Sequence, residues 1–444
     1  MRHWLKADAV SSLSILGLRG GVLAAKLLLS LFIARYLGLE SLGAYGLIAG
    51  MVAVGQAVMR LGLLDAIGRD AVGQPLEARM RNLRHYLTGC SALYALLLPI
   101  VLLVGLGVGA PILVLLVFLV LLSEHASHDV FVLANNLQRP RLANALFALQ
   151  AGGWIYLYIL AALVQPALRS LEALLAFWIG GGLLAVAAAA IASSDWPWRQ
   201  AFSEPIRLGW YRSYLGRAWR LYLSEIVAIT NLYADRYLVG AFLSLEFAGI
   251  YVLFWQVSNA VCNLVGASVL QVFRPRLIQA CRDGDPRAFR RTLRNCARRC
   301  AATVAGLVLL SALLVPLLLE HTRQPLAMEH LPLLWLLLAF AGARVAADLS
   351  IATLFAQRAD GVLLRCNLLT LALTLLLGSL ALSLLGIIGA ALAAICTCLI
   401  TIGYTETARR HIGHEGFSSH RTRRERVPQD RLPLLDRDPC QKGR

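Results

Sequence analysis

Long runs of apolar residues recur along the chain, separated by short polar connections. Each run is close to the 20 residues that an α-helix needs to cross about 30 Å of hydrocarbon. Twelve runs are found, over residues 11–34, 42–64, 85–108, 112–134, 142–164, 171–192, 218–243, 248–270, 300–319, 331–355, 364–384 and 387–407. The pattern therefore predicts an all-α integral membrane protein with about twelve transmembrane helices.

Composition agrees with this prediction. Of the 444 residues, 58% are hydrophobic and only 15% are charged. A soluble globular chain is nearer one quarter charged, and its core cannot absorb so much apolar side chain. The chain is predicted to be multi-pass, with little folded mass outside the membrane.

Basic residues are distributed unequally between the two sets of connections. If the N-terminus is cytoplasmic, 33 of the 42 Lys and Arg residues lie on the cytoplasmic side. The opposite side holds only Arg35, Arg169 and Arg323. This split follows the positive-inside rule and predicts that both termini are cytoplasmic. The net charge of +17 is thus a topology signal and an attraction to membrane lipids, and it does not indicate nucleic acid as a partner.

A short sequence repeat indicates duplication. Residues 37–45 and 243–251 are identical at five of nine positions, at a constant offset of 206, and both join the first and second span of a six-span half. Six spans per half give two parallel repeats, which typically enclose a substrate path at their interface. We predict an N-terminal lobe over 1–200, a C-terminal lobe over 201–408 and a disordered basic cytoplasmic tail over 409–444.

Several motifs resemble those of the multidrug/oligosaccharidyl-lipid/polysaccharide (MOP) exporter superfamily, and more narrowly the polysaccharide-biosynthesis, O-antigen (Wzx-type) flippases. The motifs are Ala34 to Gly38 with Gly43 to Tyr45, Leu61 to Leu63, Asp235 to Gly240, and Gly249 to Tyr251. The resemblance implies a V-shaped, two-lobe bundle like that of the MATE transporters. It also implies a flippase in the bacterial inner membrane that moves an undecaprenyl-diphosphate-linked oligosaccharide to the periplasmic leaflet for O-antigen or exopolysaccharide synthesis. A polysaccharide polymerase and a chain-length regulator are the protein partners expected with it.

Ionisable residues inside spans are costly, so each is a functional candidate. Arg19 and Lys26 lie seven residues apart on one face of the first span, and Gln56 and Arg60 share a face of the second. Guanidinium groups match phosphate oxygens, so these residues are predicted to line a cationic substrate cavity. The alternative is that the long side chains snorkel to the interface or pair internally.

The second half offers a matching set of polar residues. Glu225 corresponds to Arg19 at the repeat offset, which predicts either a gating pair across the cavity or a static salt bridge. Gln256, Asn259 and Asn263 form a polar stripe beside Trp255, suited to sugar hydroxyls and a sugar ring; interhelical hydrogen bonding is the alternative. All of these are predicted cavity-lining residues.

A third group consists of candidates for proton coupling or gating. They are Glu124, His125, His128, Asp129, Asp235, Arg344 and Asp348. Glu124–His128, His125–Asp129 and Arg344–Asp348 are spaced four residues apart, and internally satisfied packing explains such pairs equally well. No metal site is predicted, because His-x-x-His beside one Glu is a weak zinc pattern.

Other function classes fit less well. No Ser/His/Asp set or nucleotide-binding loop is found, so the chain is not predicted to be an enzyme, and no cofactor is expected apart from a coupling H⁺ or Na⁺. A glycosyltransferase or polymerase needs a large loop or extramembrane domain, and the related peptidoglycan-precursor flippases typically have fourteen spans. The main alternative is a cation-coupled multidrug or small-molecule exporter of the same superfamily, against which stands the absence of an acidic residue from the first span.

Overall fold

The computed structural model describes residues 2–70, 75–136, 139–194, 196, 198–203, 205–320, 324–357 and 359–425. All regular structure within these ranges is helical. The first half contains α1 (Arg2–Tyr36), α2 (Leu39–Arg60), α3 (Leu63–Asp70), α4 (Leu76–Val108), α5 (Pro111–Asn136), α6 (Pro140–Ala148), α7 (Trp154–Val164), α8 (Leu171–Ala192) and α9 (Trp198–Ser203). The second half contains α10 (Leu208–Phe242), α11 (Leu245–Val265), α12 (Gln271–Arg282), α13 (Pro286–Glu320), α14 (Pro325–Glu329), α15 (Leu331–Ala356), α16 (Asp360–Leu385) and α17 (Ile387–Glu425).

Each predicted span corresponds to one helix or to one run of consecutive helices. The predicted fifth span is α6 and α7 joined by a π-helical turn over Leu149–Gly153, and the eighth continues from α11 through a π-helical turn over Gly266–Leu270 into α12. Among the described residues, eleven helical segments are long and apolar enough to cross a membrane. The predicted span at 218–243 is not among them, although all but its last residue lies within the 35-residue helix α10. Charged residues, among them Glu225, Asp235 and Arg236, lower its apolar character.

Exposed leucines identify the helix faces suited to lipid. On α13, Leu309, Leu310, Leu313, Leu314 and Leu317 are all exposed, whereas the buried core is built mainly from α1, α2, α5, α8, α11 and α15. Because lipid tails are apolar, such faces need no protein partner in a bilayer. The α-helical bundle of a multi-span membrane protein predicted from the sequence is confirmed.

The repeated segments contact each other at the start of α2 and α11. A Cβ atom added to Gly43 would clash with the carbonyl oxygen of Leu245, and one added to Gly249 would clash with that of Leu39. Each of the two contacts maps onto the other at the 206-residue offset of the repeat. Only glycine permits this backbone approach, so the two halves meet tightly at this end of the bundle.

The C-terminal region differs from the expectation of disorder over 409–444. Helix α17 continues through Glu425, and residues 426–444 lie outside the described residues. Extending an existing helix costs much less than nucleating a new one, so a membrane-embedded helix can carry a polar sequence beyond its apolar part.

Candidate functional site

A polar cavity of about 530 Å³ lies between the two halves. Helices α1, α2, α5, α6, α7, α8, α10, α11, α12 and α15 contribute to it, together with the two π-helical turns. Its polar and aromatic lining consists of Arg19, Lys26, Tyr45, Gln56, Glu124, Phe147, Gln150, Trp154, Trp178, Tyr233, Arg236, Trp255, Gln256, Asn259, Asn263, Gln271, Arg344 and Asp348. The cavity begins where the close contact between α2 and α11 ends.

Most of the predicted cavity-lining residues meet here. Those that line the cavity are Arg19, Lys26, Gln56, Trp255, Gln256, Asn259 and Asn263. Glu124, Arg344 and Asp348, which the sequence offered as coupling or gating residues, line it as well. The polar stripes on the first, second and eighth predicted spans therefore face one another across a common space.

Arg19 connects three helices at the edge of this cavity. Its Nε lies 3.4 Å from Asn144 Oδ1 on α6, and its Nη1 donates to Gln271 Oε1 on α12 over 3.3 Å. Both partners are neutral amide oxygens. The positive charge of Arg19 is thus oriented without being neutralised by these contacts.

Arg236 on α10 is the most buried cation of the cavity wall, with 2% of its surface exposed. Its guanidinium carbon lies 3.7 Å from the ring centroid of Trp255 and 4.3 Å from that of Tyr233. Among the described residues, none accepts a hydrogen bond from its Nε or Nη2. Cation–π contacts hold the group in place, but two buried donors without acceptors remain costly.

The opposite wall contains an acidic and aromatic cluster. Glu124 on α5 accepts hydrogen bonds from Gln150 Nε2 and Trp178 Nε1, both at 2.9 Å. The indole ring of Trp154 stacks on that of Trp178, with centroids 5.6 Å apart and planes inclined by 9°. Gln150 Oε1 and Trp154 Nε1 are buried without a hydrogen-bond partner among the described residues.

Arg60 and Glu225 do not line the cavity as the sequence predicted. Arg60 Nη1 donates to Glu225 Oε1 at 3.1 Å, and its Nε lies 3.8 Å from Asp129 Oδ1. The predicted partner of Glu225, Arg19, instead contacts Asn144 and Gln271. The difference arises because Arg60 ends α2 and reaches α10, so the ion pair joins the two halves directly.

His125 lies within a polar cluster behind the same ion pair. The hydroxyl groups of Tyr86 and Tyr94 lie 3.0 and 2.9 Å from its two ring nitrogens, and Asp129 Oδ2 lies 3.2 Å from Nε2. The i, i+4 pairing of His125 with Asp129 is therefore present. Glu124 bonds instead to Gln150 and Trp178. The contacts of Glu124 and His125 fit the internally satisfied packing that the sequence left open, whereas His128 Nδ1 is buried without a hydrogen-bond partner among the described residues.

A second cavity of about 250 Å³ adjoins the first within the C-terminal half. Asp235 lines it together with Asn231, Asn367, Thr370 and several other threonines, whereas its neighbour Arg236 faces the central cavity. Asp235 Oδ2 accepts a hydrogen bond of 2.7 Å from the Tyr251 hydroxyl. Leu232, Trp255, Arg344 and Asp348 line both cavities and separate them.

Residues 32–324 match a family described as polysaccharide biosynthesis protein. The chain belongs to the polysaccharide biosynthesis protein family. This match covers the whole of the central cavity except the contributions of α1 and α15, and it confirms the resemblance seen in the sequence motifs. No curated protein sequence matches the chain.

Solved structures share the fold of this family member. The lipid II flippase MurJ, in an inward closed conformation, has a TM-score of 0.72 at 13% identity, over 90% of this chain and 87% of that one. An inward-facing multidrug resistance MATE family transporter of the MOP superfamily has a TM-score of 0.67 at 12% identity, over 93% and 99%. The Vibrio cholerae MATE transporter VcmN has a TM-score of 0.55 at 15% identity, over 89% and 94%. At these identities the likeness shows the fold alone, and it confirms the predicted MATE-like bundle.

Three residues of the central cavity, Arg236, Gln150 and Trp154, are not predicted by the sequence analysis. Arg236 was available as an intramembrane cation, and its spacing of three from Tyr233 places both on one helical face. Gln150 and Trp154 are four residues apart, but Gln150 lies in a π-helical turn that hydropathy does not reveal, and Trp154 follows this turn directly. An i, i+3/i+4 search around every polar residue within a span would have found these groups.

Proposed function

We propose that this protein is a flippase that moves an undecaprenyl-diphosphate-linked oligosaccharide across the bacterial inner membrane by alternating access, for O-antigen or exopolysaccharide synthesis. The observation that carries the proposal is Arg236, which lines the central cavity and whose buried Nε and Nη2 donors have no acceptor among the described residues. A buried cation whose donors lack acceptors in the described part of the chain calls for an anionic ligand. A lipid diphosphate supplies such a group, and membership of a polysaccharide biosynthesis family supports this cargo.

The remaining lining supports the same ligand. Arg19 and Lys26 add positive charge, and the amides of Gln256, Asn259 and Asn263 offer both donors and acceptors to sugar hydroxyls. The cavity volume of about 530 Å³ lies within the roughly 300–1,000 Å³ usual for ligand pockets. An anionic head group with attached sugars matches this combination of charge and neutral polarity.

The distribution of Lys and Arg supports the proposed orientation, and the Gly43–Gly249 contact supports the proposed conformational state. With both termini cytoplasmic, the Gly43–Gly249 contact closes the periplasmic end and the cavity lies toward the cytoplasm. Cargo would then load from the cytoplasmic leaflet. Fusing a reporter that is active only in the cytoplasm to either terminus tests this orientation, and an inactive fusion at either end would contradict it.

Gene deletion tests the function. We expect single lipid-linked repeat units to accumulate on the cytoplasmic leaflet and surface polysaccharide to be lost, with recovery on re-expression of the wild-type chain. Surface polysaccharide at the normal level in the deletion strain would overturn the proposal. A polysaccharide polymerase and a chain-length regulator are the proposed protein partners. If neither is recovered with this protein in pull-downs, the proposal of these partners fails and the flippase proposal stands.

The second candidate function is a cation-coupled exporter of small molecules. The polar second cavity favours it, because Asp235 and Asp348 lie there among amide and hydroxyl oxygens, which suit H⁺ or Na⁺ coupling. Coupling is compatible with either cargo. Transport in proteoliposomes under imposed Na⁺ or proton gradients separates the cases: drug transport without glycolipid transport would favour the exporter.

A further inference from the structure

We propose that Gln150 and Trp154, on the wall opposite Arg236, form a subsite for an uncharged sugar ring. The inference rests on the proposed function and deepens it, because it assigns the sugar part of the cargo to a particular corner of the cavity. The corner is defined by Glu124, Gln150, Trp154 and Trp178, which all line the central cavity. We refer to it as the tryptophan corner.

Glu124 fixes the orientation of the other polar groups. Because Gln150 donates through Nε2 to one carboxylate oxygen, its Oε1 must point elsewhere. The other oxygen of Glu124 accepts from Trp178 Nε1, so that indole is also committed. The protein thus uses one donor from each of these two side chains and leaves an amide oxygen free.

Two buried polar atoms remain without partners. Gln150 is 2% exposed and Trp154 is 4% exposed, yet neither Gln150 Oε1 nor Trp154 Nε1 has a hydrogen-bond partner among the described residues. Buried polar groups are almost always satisfied in native structures, so an orphan acceptor and an orphan donor in one corner call for a ligand. They offer one hydrogen bond of each kind.

Local backbone structure supports a purpose-built site. Gln150 lies in the π-helical turn over Leu149–Gly153, and Trp154 follows it directly. Such single π-turns within helices occur frequently at functional sites. Gly181 on α8 makes room for the indole, because a Cβ atom there would lie 2.6 Å from Trp154 Cβ.

The chemistry of the corner selects a neutral hydroxylated ring. A hydroxyl group both donates and accepts, so neighbouring sugar hydroxyls match a free amide oxygen and a free indole N–H. Aromatic side chains supply an apolar face beside these polar atoms. The four residues of the corner carry no positive charge, so the anionic part of the cargo belongs at Arg236.

The test compares lipids with and without a sugar, using the full-length protein in nanodiscs. The probes are undecaprenyl diphosphate and the same lipid bearing one glucose, galactose or N-acetylglucosamine. The measured quantity is the ratio of the Kd of the bare lipid to that of each sugar-bearing lipid. We expect a ratio of about ten for at least one sugar with the wild-type chain.

Two variants and one control examine the corner. Trp154→Phe removes the free N–H without breaking a protein hydrogen bond, and Gly181→Ala pushes the indole aside; both should lower the ratio to about one. Gly180→Ala is the matched control, since a Cβ atom there meets nothing within 4 Å, and it should keep the wild-type ratio. Melting of each purified variant verifies that it is folded.

The outcomes separate this inference from the proposed function. If the bare lipid binds and no sugar raises affinity, or if Trp154→Phe keeps the full ratio, the sugar subsite is overturned while the flippase proposal stands. If neither bare nor sugar-bearing lipid binds the wild-type chain, the proposed function fails and the subsite fails with it.

Discussion

Arg60 and Arg236 are both buried arginines on long helices, with 8% and 2% of their surface exposed. Arg60 has two carboxylates within 4 Å, on helices from both halves of the molecule. Arg236 instead packs against two aromatic rings, and its Nε and Nη2 have no acceptor among the described residues. The first charge is used to join the protein to itself, and the second is left for a ligand.

This contrast shows that burial alone does not identify a binding residue. Both residues are intramembrane cations and look equivalent in the sequence. What separates them is the partner: carboxylates within 4 Å make Arg60 structural, whereas no described carboxylate forms a salt bridge with the Arg236 guanidinium, which leaves its donors available. The following experiments test this distinction, beginning with the largest effect.

Replacing Arg60 by alanine should destabilise the protein strongly. Glu225 and Asp129 would remain partly buried near each other without their shared cation, and breaking a buried ion pair from one side costs about 3–5 kcal/mol. Denaturant titration of the purified protein in mixed micelles measures the free energy of unfolding. The double variant Arg60→Met/Glu225→Gln should recover much of the loss, and an unfolding free energy equal to wild type for Arg60→Ala would contradict a structural role.

Replacing Arg236 by methionine should weaken ligand binding without destabilising the protein. Removing two buried donors that lack acceptors should offset the loss of the cation–π contacts, so the free energy of unfolding should change little. Binding of undecaprenyl diphosphate should weaken by about 2–3 kcal/mol, or roughly 30- to 150-fold, because charge-assisted hydrogen bonds to the anion are lost. Equilibrium binding in nanodiscs measures this, and a variant that unfolds readily but binds normally would reverse the assignment.

Much of the fold could be predicted from the sequence, but the distinction between a structural and a ligand-binding arginine could not. The apolar runs predict the helices because each must match the bilayer thickness, and seven-residue spacing correctly brings Arg19 and Lys26 to one cavity. The partner of a buried charged residue depends on contacts between helices that are distant in the sequence, and hydropathy does not predict such contacts. The interactions of Arg60 with Glu225, and of Trp255 with Arg236, connect residues 165 and 19 positions apart. For that reason the sequence predicts Arg60 to line the cavity and does not identify Arg236 as a cavity residue.

Trp178 and Trp154 in the tryptophan corner offer the same comparison for neutral groups: one N–H is bonded within the protein and the other has no partner among the described residues. Trp178→Phe should destabilise the protein by about 1 kcal/mol, because the hydrogen bond from its Nε1 to Glu124 is lost and a buried acceptor is left short of a donor. Trp154→Phe removes an N–H that bonds to no described residue and should lack this hydrogen-bond penalty. Thermal unfolding of the two variants side by side measures the difference, and equal destabilisation would show that Trp154 also has a protein partner.

Replacing a third arginine, Arg217, should have the smallest effect on the free energy of unfolding. Arg217 Nη1 donates to Asp70 Oδ2 at 3.1 Å and also joins the two halves, but 55% of its side chain is exposed. Water screens such a pair, so Arg217→Ala should change the free energy of unfolding by less than about 1 kcal/mol. The effect should shrink further in high salt, whereas that of Arg60→Ala should persist because the buried pair is shielded from ions. A salt-independent loss at Arg217 as large as that at Arg60 would mean that partner identity, and not burial, sets the strength of the contacts between the halves.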